Sequence, residues 1–274
     1  MPAIPPVAAG PKRASFDLAP ELRGAVERQE FMVEYQPIVD LRKSQPVGVE
    51  ALVRWRHPIR GTVPPADFLP LAEETGDIVA IGAWVLDRSC RQARAWQQAG
   101  TPNLFLSVNL SAAQLADAGL RRSVEVALQT CGLEPRHLVL EIAGASGDAG
   151  AATLGALRKL GVSVALDDFG GASSLMDVRS TPCDVVKIDR AFVVDVAGAP
   201  GDSAFAEALL SVGQARSLTT VAKGVEERDQ ARRLAALACD QGQGYLYGKP
   251  LGAEGIGALL ARSRLGPATG RRPT

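Results

Sequence analysis

Short runs of β-branched and aliphatic residues recur along the chain and alternate with longer stretches whose apolar positions fall at helical spacing. The runs predict strands over 33–39, 47–55, 104–110, 138–142, 162–167, 185–188 and 219–222, with a weaker one over 240–245. The stretches 81–98, 120–130, 151–160, 204–215 and 226–237 carry apolar residues three and four apart, the period of an amphipathic helix. Strands and helices in this alternation predict an α/β fold, a (β/α)8 TIM-like barrel, with a doubly wound open sheet as the alternative. The first two strands interrupt the alternation. Only residues 41–46 separate them, too few for a helical crossover, so they are expected to pair antiparallel and leave one reversed strand in the barrel.

Composition narrows this picture. Of 274 residues, 46% are hydrophobic and 22% charged, ordinary values for a globular chain, and 30 basic residues balance 30 acidic ones. That balance argues against a nucleic-acid partner and against an acidic solvating tail. Residues 1–20 hold five prolines and residues 262–274 are rich in Arg, Gly, Pro and Thr, so both ends are expected to be disordered tails around one domain over 21–261. The longest apolar stretch, 78–86, is far too short to span a membrane, and a cytoplasmic location without membrane contact is expected. The four cysteines form no CxxC pair, which disfavours a zinc knuckle or a disulfide scaffold.

Acidic and amide residues fall at one end of successive strands: Glu50 in the second, Asn109 closing the third, Glu141 in the fourth, Asp167 and Asp168 at the fifth, Lys187 and Asp189 at the sixth. In a barrel these ends share one mouth. A carboxylate cluster there repels itself unless protonated or bound to cations, and oxygen ligands favour Mg²⁺, Mn²⁺ or Ca²⁺ over zinc. Each residue alone has a plainer reading, as a cap or an ion-pair partner; recurrence at one end is what favours a metal site. His57 and His137 lack acidic or thiol partners at ligand spacing and are expected to be structural. No phosphate-binding P-loop, GxGxxG turn or GxSxG elbow occurs, which disfavours nucleoside triphosphate, hydride-transfer and serine-hydrolase chemistry.

The stretch Glu50-Ala51-Leu52-Val53-Arg54 resembles the signature of the EAL domain family, bacterial phosphodiesterases that linearise cyclic di-GMP. Tyr35-Gln36-Pro37-Ile38, Phe68-Leu69-Pro70-Leu71-Ala72-Glu73, Ser107-Val108-Asn109-Leu110-Ser111, Leu140-Glu141-Ile142, Asp167-Asp168-Phe169-Gly170, Val186-Lys187-Ile188-Asp189-Arg190, Gly224-Val225-Glu226, Gln243-Gly244-Tyr245-Leu246 and Lys249-Pro250-Leu251 follow in family order. The resemblance implies the barrel with one antiparallel strand, and a two-metal hydrolysis using Mg²⁺ or Mn²⁺ that yields linear pGpG. It implies Glu50, Asn109, Glu141 and Asp167 as metal ligands, with Asp167 bridging and Asp168 completing the second site. It assigns Lys187, Gln243 and Glu226 to catalysis, Lys187 orienting the attacking water and Gln243 a metal-bound one. Arg54 would hold a phosphate, Gln36 and Asp184 would seat guanine and ribose, and Leu52 would join them in binding substrate. The family resemblance also suggests a homodimer.

Three departures from the family pattern touch this site. The seventh strand usually ends in Ala-Glu-Gly-Val-Glu and here reads Ala222-Lys223-Gly224-Val225-Glu226, placing a base where an acid helps hold the metals. An ammonium some 5 Å from a dication is repelled by on the order of several kcal/mol at an effective dielectric of ~20. Lys223 must therefore turn away or weaken a metal, and it joins the substrate-binding set as a donor to phosphate. The usual Leu-Glu-Ile-Thr-Glu becomes Leu140-Glu141-Ile142-Ala143-Gly144, losing the acid that anchors the loop after the fifth strand, and that loop, 169–175, is one residue short. A degenerate domain that binds cyclic di-GMP without efficient turnover is expected; a working phosphodiesterase and a ligand-free protein-interaction domain are the alternatives. With no second signalling motif in the sequence, input is expected from an unknown protein partner or from self-association.

Overall fold

The structure is a computed structural model and describes residues 18–144, 147–198, 201 and 203–264. Its first two strands, β1 (Phe31–Asp40) and β2 (Gln45–His57), form the expected antiparallel hairpin. A short strand, β3 (Gly61–Val63), folds back on the end of β2 and lies outside the barrel. From β2 the sheet continues in parallel through β4 (Phe105–Asn109), β5 (Leu138–Ala143), β6 (Ser163–Phe169), β7 (Val185–Ile188) and β8 (Thr219–Lys223). The last strand, β9 (Gln241–Gln243), is parallel to β8 and antiparallel to β1, which closes the barrel with β1 as its reversed strand.

Around the sheet lie α1 (Ala19–Leu22), α2 (Pro65–Thr75), α3 (Ile78–Gln98), α4 (Ala112–Ala116), α5 (Leu120–Cys131), α6 (Gly147–Arg158), α7 (Leu175–Ser180), α8 (Ala204–Ala215), α9 (Arg228–Ala236) and α10 (Ala253–Arg264). The bounds of α8 and β7 match the sequence expectation, while α3 starts three residues earlier and α6 runs over 147–158 rather than 151–160. Helix α2 escaped the sequence pattern because Pro64, Pro65 and Pro70 read as breakers. Pro65 sits in its first turn, where a missing N–H costs nothing, and Gly76 ends it at φ 81°. Of the expected tails, residues 1–17 and 265–274 lie outside the described residues, whereas α1 begins at Ala19 and α10 extends to Arg264. Among the described residues no helix is long and apolar enough to cross a membrane.

Strand alternation decides which side chains enter the barrel. In β1, Tyr35 points out and packs edge-on against Trp96 of α3 at 4.9 Å between ring centroids, so Gln36 points in. In β7 and β8, Val186 and Thr220 meet Gly213 of α8, so Lys187, Val221 and Lys223 take the inner face. Outward residues such as Trp55, Leu106, Leu138 and Leu140 are fully buried under the helices, each worth about 1.5–3 kcal/mol of transfer free energy. Inside, the Phe105 ring lies against Gly48, where any Cβ would come within 2.3 Å of it. The polar inner positions are thereby left to the other end, the mouth.

That mouth is closed on one side by a tight backbone contact. The site of a Cβ on Gly244 is 2.1 Å from the Val225 carbonyl oxygen, and Val225 N–H donates to the Gln243 carbonyl at 3.0 Å. Gly244→Ala must therefore displace backbone rather than a side chain. It is expected to cost about 1–3 kcal/mol, read as a lower urea midpoint with an unchanged denaturant slope.

Candidate active site at the barrel mouth

Lys187 rises from the centre of the barrel with its side chain 2% exposed. Its ammonium donates to Glu50 at 2.7 Å and to both oxygens of Glu141 at 2.7 Å. Glu50 further accepts from Asn109 Nδ2 at 2.8 Å and from Gln243 Nε2 at 2.7 Å, and Gln243 Nε2 also reaches Gln36 Oε1 at 3.1 Å. Ser107, one residue pair inward of Asn109 on β4, donates its hydroxyl to Glu141. These contacts follow from register: Gln36 stands opposite Glu50, Glu50 beside Ser107, Asn109 beside Glu141 and Lys223 beside Gln243.

The charges in this cluster set one another. Burial opposes ionisation of Glu50, but the Lys187 ammonium and the donors from Gln243 and Asn109 prevail and hold its carboxyl down at about 2. Burial and the neighbouring Glu50 charge push Glu141 up, to about 7. Burial likewise works against the Lys187 ammonium, yet Glu141 and Glu50 hold it well above the usual lysine range.

A second cationic centre stands beside the first. Lys223 does not turn away: its ammonium lies 2.7 and 2.8 Å from the two Asp167 oxygens and 2.6 Å from Asp168 Oδ1. Consecutive strand residues normally face opposite ways, so one ammonium reaches both only because β6 breaks register here and Asp168 takes a left-handed conformation at φ 51°. Burial opposes the Lys223 charge, and Asp167 overcomes it and raises the pKa.

The loop over 169–175 is tied down despite the missing acid at Gly144. Gly144 N–H donates to the buried Ser173 hydroxyl at 2.8 Å, and that hydroxyl donates to the Asp167 carbonyl at 2.5 Å. The sequence expectation of a loop without its anchor is thus corrected: a short loop brings Ser173 close enough to serve from its own side.

Other predicted residues spread outward from this centre. Arg54 pairs with Glu34 at 2.8 Å, and with Leu52 and Asn109 it borders a groove of about 440 Å³ whose far wall is Pro65, Leu69, Glu73 and α3. Glu226 pairs with Arg190 at 2.8 Å and makes no hydrogen bond to the central cluster among the described residues. Asp184 is not at the mouth. It precedes β7 at the opposite end of the barrel, where it binds Arg158 at 2.5 Å and the Val164 N–H at 3.0 Å. Asp189, after β7, holds the mouth position instead, its carboxylate against Gly171 of the short loop. Glu73 was also missed as a site residue, although the Phe68–Glu73 motif signalled it. Both histidines are buried, and His57 accepts from the Ile59 and Arg60 N–H groups while facing Glu21.

Glu50, Asn109, Glu141 and Asp167 offer oxygen donors of the type a hard divalent cation takes, and the buried Gln243 Oε1, aimed into the same region, finds no partner among the described residues. One cation suits the chemistry of that donor set, but only once Asp167 leaves Lys223 and the Glu50 and Glu141 carboxylates open from Lys187. The second does not, because the Asp167 and Asp168 carboxylates are already closed on Lys223. As folded, the two lysines draw the acids into separate pairs, and among the described residues no three acidic, imidazole or thiol groups are arranged to hold a metal ion.

A closed mixed barrel with converging carboxylates and lysines at one mouth defines the class: a TIM-like barrel with its one reversed strand and a charged polar centre at the carboxyl ends of its parallel strands. The family model of the EAL domain matches residues 19–250, and the chain belongs to that family, the EAL domains of cyclic di-GMP signalling. The bifunctional diguanylate cyclase/cyclic di-GMP phosphodiesterase MucR of Pseudomonas aeruginosa is 43% identical over 251 residues, covering 90% of this chain and 37% of that protein. A solved PaMucR phosphodiesterase in complex with c-di-GMP superposes with a TM-score of 0.81, covering 87% of this chain and 99% of that one. The EAL enzyme Bd1971 with cAMP and cyclic di-GMP bound gives a TM-score of 0.83 at 27% identity, covering 89% of this chain and 68% of that one. The chain spans about a third of the length of the first curated relatives it matches.

Removing Lys187 leaves two buried carboxylates without their cation. Lys187→Met is expected to cost about 3–5 kcal/mol, measured as a fall in the urea midpoint in metal-free buffer.

Proposed function

We propose that this EAL domain binds cyclic di-GMP at the barrel mouth and hydrolyses it poorly, because its own lysine takes the place of a second cation. The observation that carries this reading is the Lys223 ammonium held within 2.8 Å of Asp167 and 2.6 Å of Asp168. EAL phosphodiesterases are metal-dependent, and here Glu50, Asn109, Glu141 and Asp167 would hold a single Mg²⁺ or Mn²⁺. When bound, that cation supplies charge for a phosphodiester oxygen and acidifies a water. Lys187 then remains within reach of a phosphate-side water, Gln243 offers its free acceptor, and Arg54 supplies a guanidinium for a phosphate once released from Glu34. Leu52 and the groove beside it offer an apolar face to a guanine, with Glu73 and Asn109 in the same lining as polar partners.

A working phosphodiesterase is the second reading, favoured by the intact Glu50, Asn109, Glu141, Lys187 and Gln243 set. A protein-interaction domain without ligand is disfavoured, since it has no need of buried lysine–carboxylate clusters beside an open groove. The homodimer, which rests on the resemblance, and the protein partner and cytoplasmic location, which rest on the sequence expectations, belong to this proposal.

The deciding experiment is single-turnover: excess protein with cyclic di-GMP and Mn²⁺ or Mg²⁺, separating intact ligand from pGpG over hours. The expected result is intact ligand retained by the protein, with Lys223→Glu raising metal-dependent conversion roughly tenfold or more. In metal-free buffer Lys223→Ala is expected to weaken ligand affinity roughly ten- to hundredfold, the worth of a charge-assisted hydrogen bond. Prompt metal-dependent conversion by the unaltered chain would establish the phosphodiesterase reading instead.

A further inference from the structure

The chain as a whole is neutral, but its charge is unevenly spread. The end of the barrel opposite the mouth is built from the loops that enter the parallel strands, the turn between β1 and β2, and the last turn of α10. Contacts join these pieces into one ring. Leu41 N–H donates to the Asp240 carbonyl at 3.0 Å, Thr219 N–H to the Asp184 carbonyl at 3.0 Å, and Val164 N–H to the Asp184 carboxylate at 3.0 Å. Ser263 of α10 borders a depression there with Gln45 and Thr101. Arg42, Lys43, Lys159, Arg216 and Arg262 stand exposed around this ring, and all but Lys43 form no ion pair among the described residues.

The acids at the same end are placed differently. Asp40, Asp184 and Asp240 are half-buried and committed to the protein itself. Asp40 accepts from the Arg42 and Lys43 N–H groups at 2.9 and 2.8 Å, Asp240 from the Thr220 N–H at 2.9 Å, and Asp184 from Arg158 and Val164. Glu134 is exposed, but Arg136 matches it at 3.0 Å. What this end offers to solvent is therefore net positive. None of the large exposed apolar side chains of the described residues, such as Met176 and Phe205, lies in these loops. A protein interface draws its affinity from buried aromatic or aliphatic anchors, and this face has none. Cations spread over the breadth of the barrel suit a surface of diffuse negative charge.

We infer that this face adsorbs to anionic lipid headgroups, holding the barrel by its base with the mouth turned away. Strand polarity fixes that orientation. In β6 the chain runs from Ser163 at the base to Asp167 at the mouth, roughly 10 Å along the barrel axis once strand tilt is allowed for. The potential of a charged membrane falls off within a Debye length, about 8 Å at physiological salt. The base cations feel that potential and the mouth acids largely do not, so neutrality of the whole chain does not oppose adsorption. The expectation of no membrane contact rested on the lack of a spanning stretch, and adsorption needs none.

The test is co-sedimentation of the full chain with vesicles of phosphatidylcholine, either alone or with about one-third phosphatidylglycerol. The expected result is binding to the anionic vesicles only, released as salt rises from about 0.05 to about 0.5 M. Lys159→Glu combined with Arg216→Glu is expected to weaken partitioning roughly tenfold or more, since each basic residue beside an anionic surface is worth about fivefold. Arg228→Glu makes the same reversal on the mouth side, at the first residue of α9, and is expected to change little. No binding to anionic vesicles, equal binding to neutral ones, or equal weakening by Arg228→Glu would overturn the inference. Tighter binding to polyglutamate or to a DNA duplex at the same salt would overturn it too, by giving the face to another polyanion. Lipid selectivity and salt release of the unaltered chain decide by themselves if a variant does not fold.

Discussion

A single ammonium, sealed in the barrel axis and shared by two carboxylates, is the contact on which the rest of the mouth depends. Glu50 and Glu141 project inward from strands separated by β4, and without a cation between them their repulsion in a low-dielectric interior would force one to stay protonated or the strands to part. Lys187, from the opposite wall, reaches both at 2.7 Å. The remaining lone pairs of Glu50 are met by Asn109 and Gln243, and Glu141 takes a donor from Ser107, so little of the buried charge is left unanswered. The inner face of six strands is fixed by this one network.

The second ammonium acts differently because its surroundings do. Lys223 stands at the rim with its side chain a quarter exposed, and its partners Asp167 and Asp168 converge only through a register break and a left-handed residue in β6. A dication placed between those two aspartates would draw on the same geometry with twice the charge and would bring coordinated waters. The lysine brings neither the second charge nor a water. Replacing an acid by a base at this position therefore does more than repel a metal: it supplies a cation of the right sign and reach, so the loop folds as if the site were filled. Ser173 completes that arrangement by joining Gly144 to the Asp167 carbonyl, which makes the short loop a closed unit rather than a loosened one.

Much of this was legible in the chain because alternation carries it. Once strands are recognised, the inner face follows by parity, and Glu50, Glu141, Lys187 and Gln243 fall on it without further information. What escaped was of three kinds. Helix α2 was hidden by its prolines: Pro64 caps it and Pro65 sits harmlessly in its first turn, while Pro70 lies inside the helix, where a proline reads as a breaker. Asp184 and Asp189 flank the same four-residue strand, and the motif resemblance favoured the wrong one; strand polarity alone puts the residue after the strand at the mouth and the residue before it at the base, where Arg158 waits. The fate of Lys223 was left open because sequence spacing does not register a bulge, and the bulge is what turns Asp168 toward it.

The charge at the mouth explains what kind of ligand such an arrangement can accept. Four carboxylates facing a groove would repel a dinucleotide carrying two phosphates, and an EAL domain usually offsets this with bound metal. Here two lysines already offset part of it, one sealed and one at the rim, while Arg54 is held by Glu34 at 2.8 Å and is available only in exchange for that pair. A phosphate approaching the rim meets Lys223 first, and any hydrogen bond it gains there is taken from Asp167 and Asp168. Asp167, once released, is the ligand that a cation beside Glu50 and Glu141 lacks. On the proposed reading, ligand capture and cation binding would be linked through the same ammonium: whatever draws Lys223 outward also frees the Asp167 carboxylate.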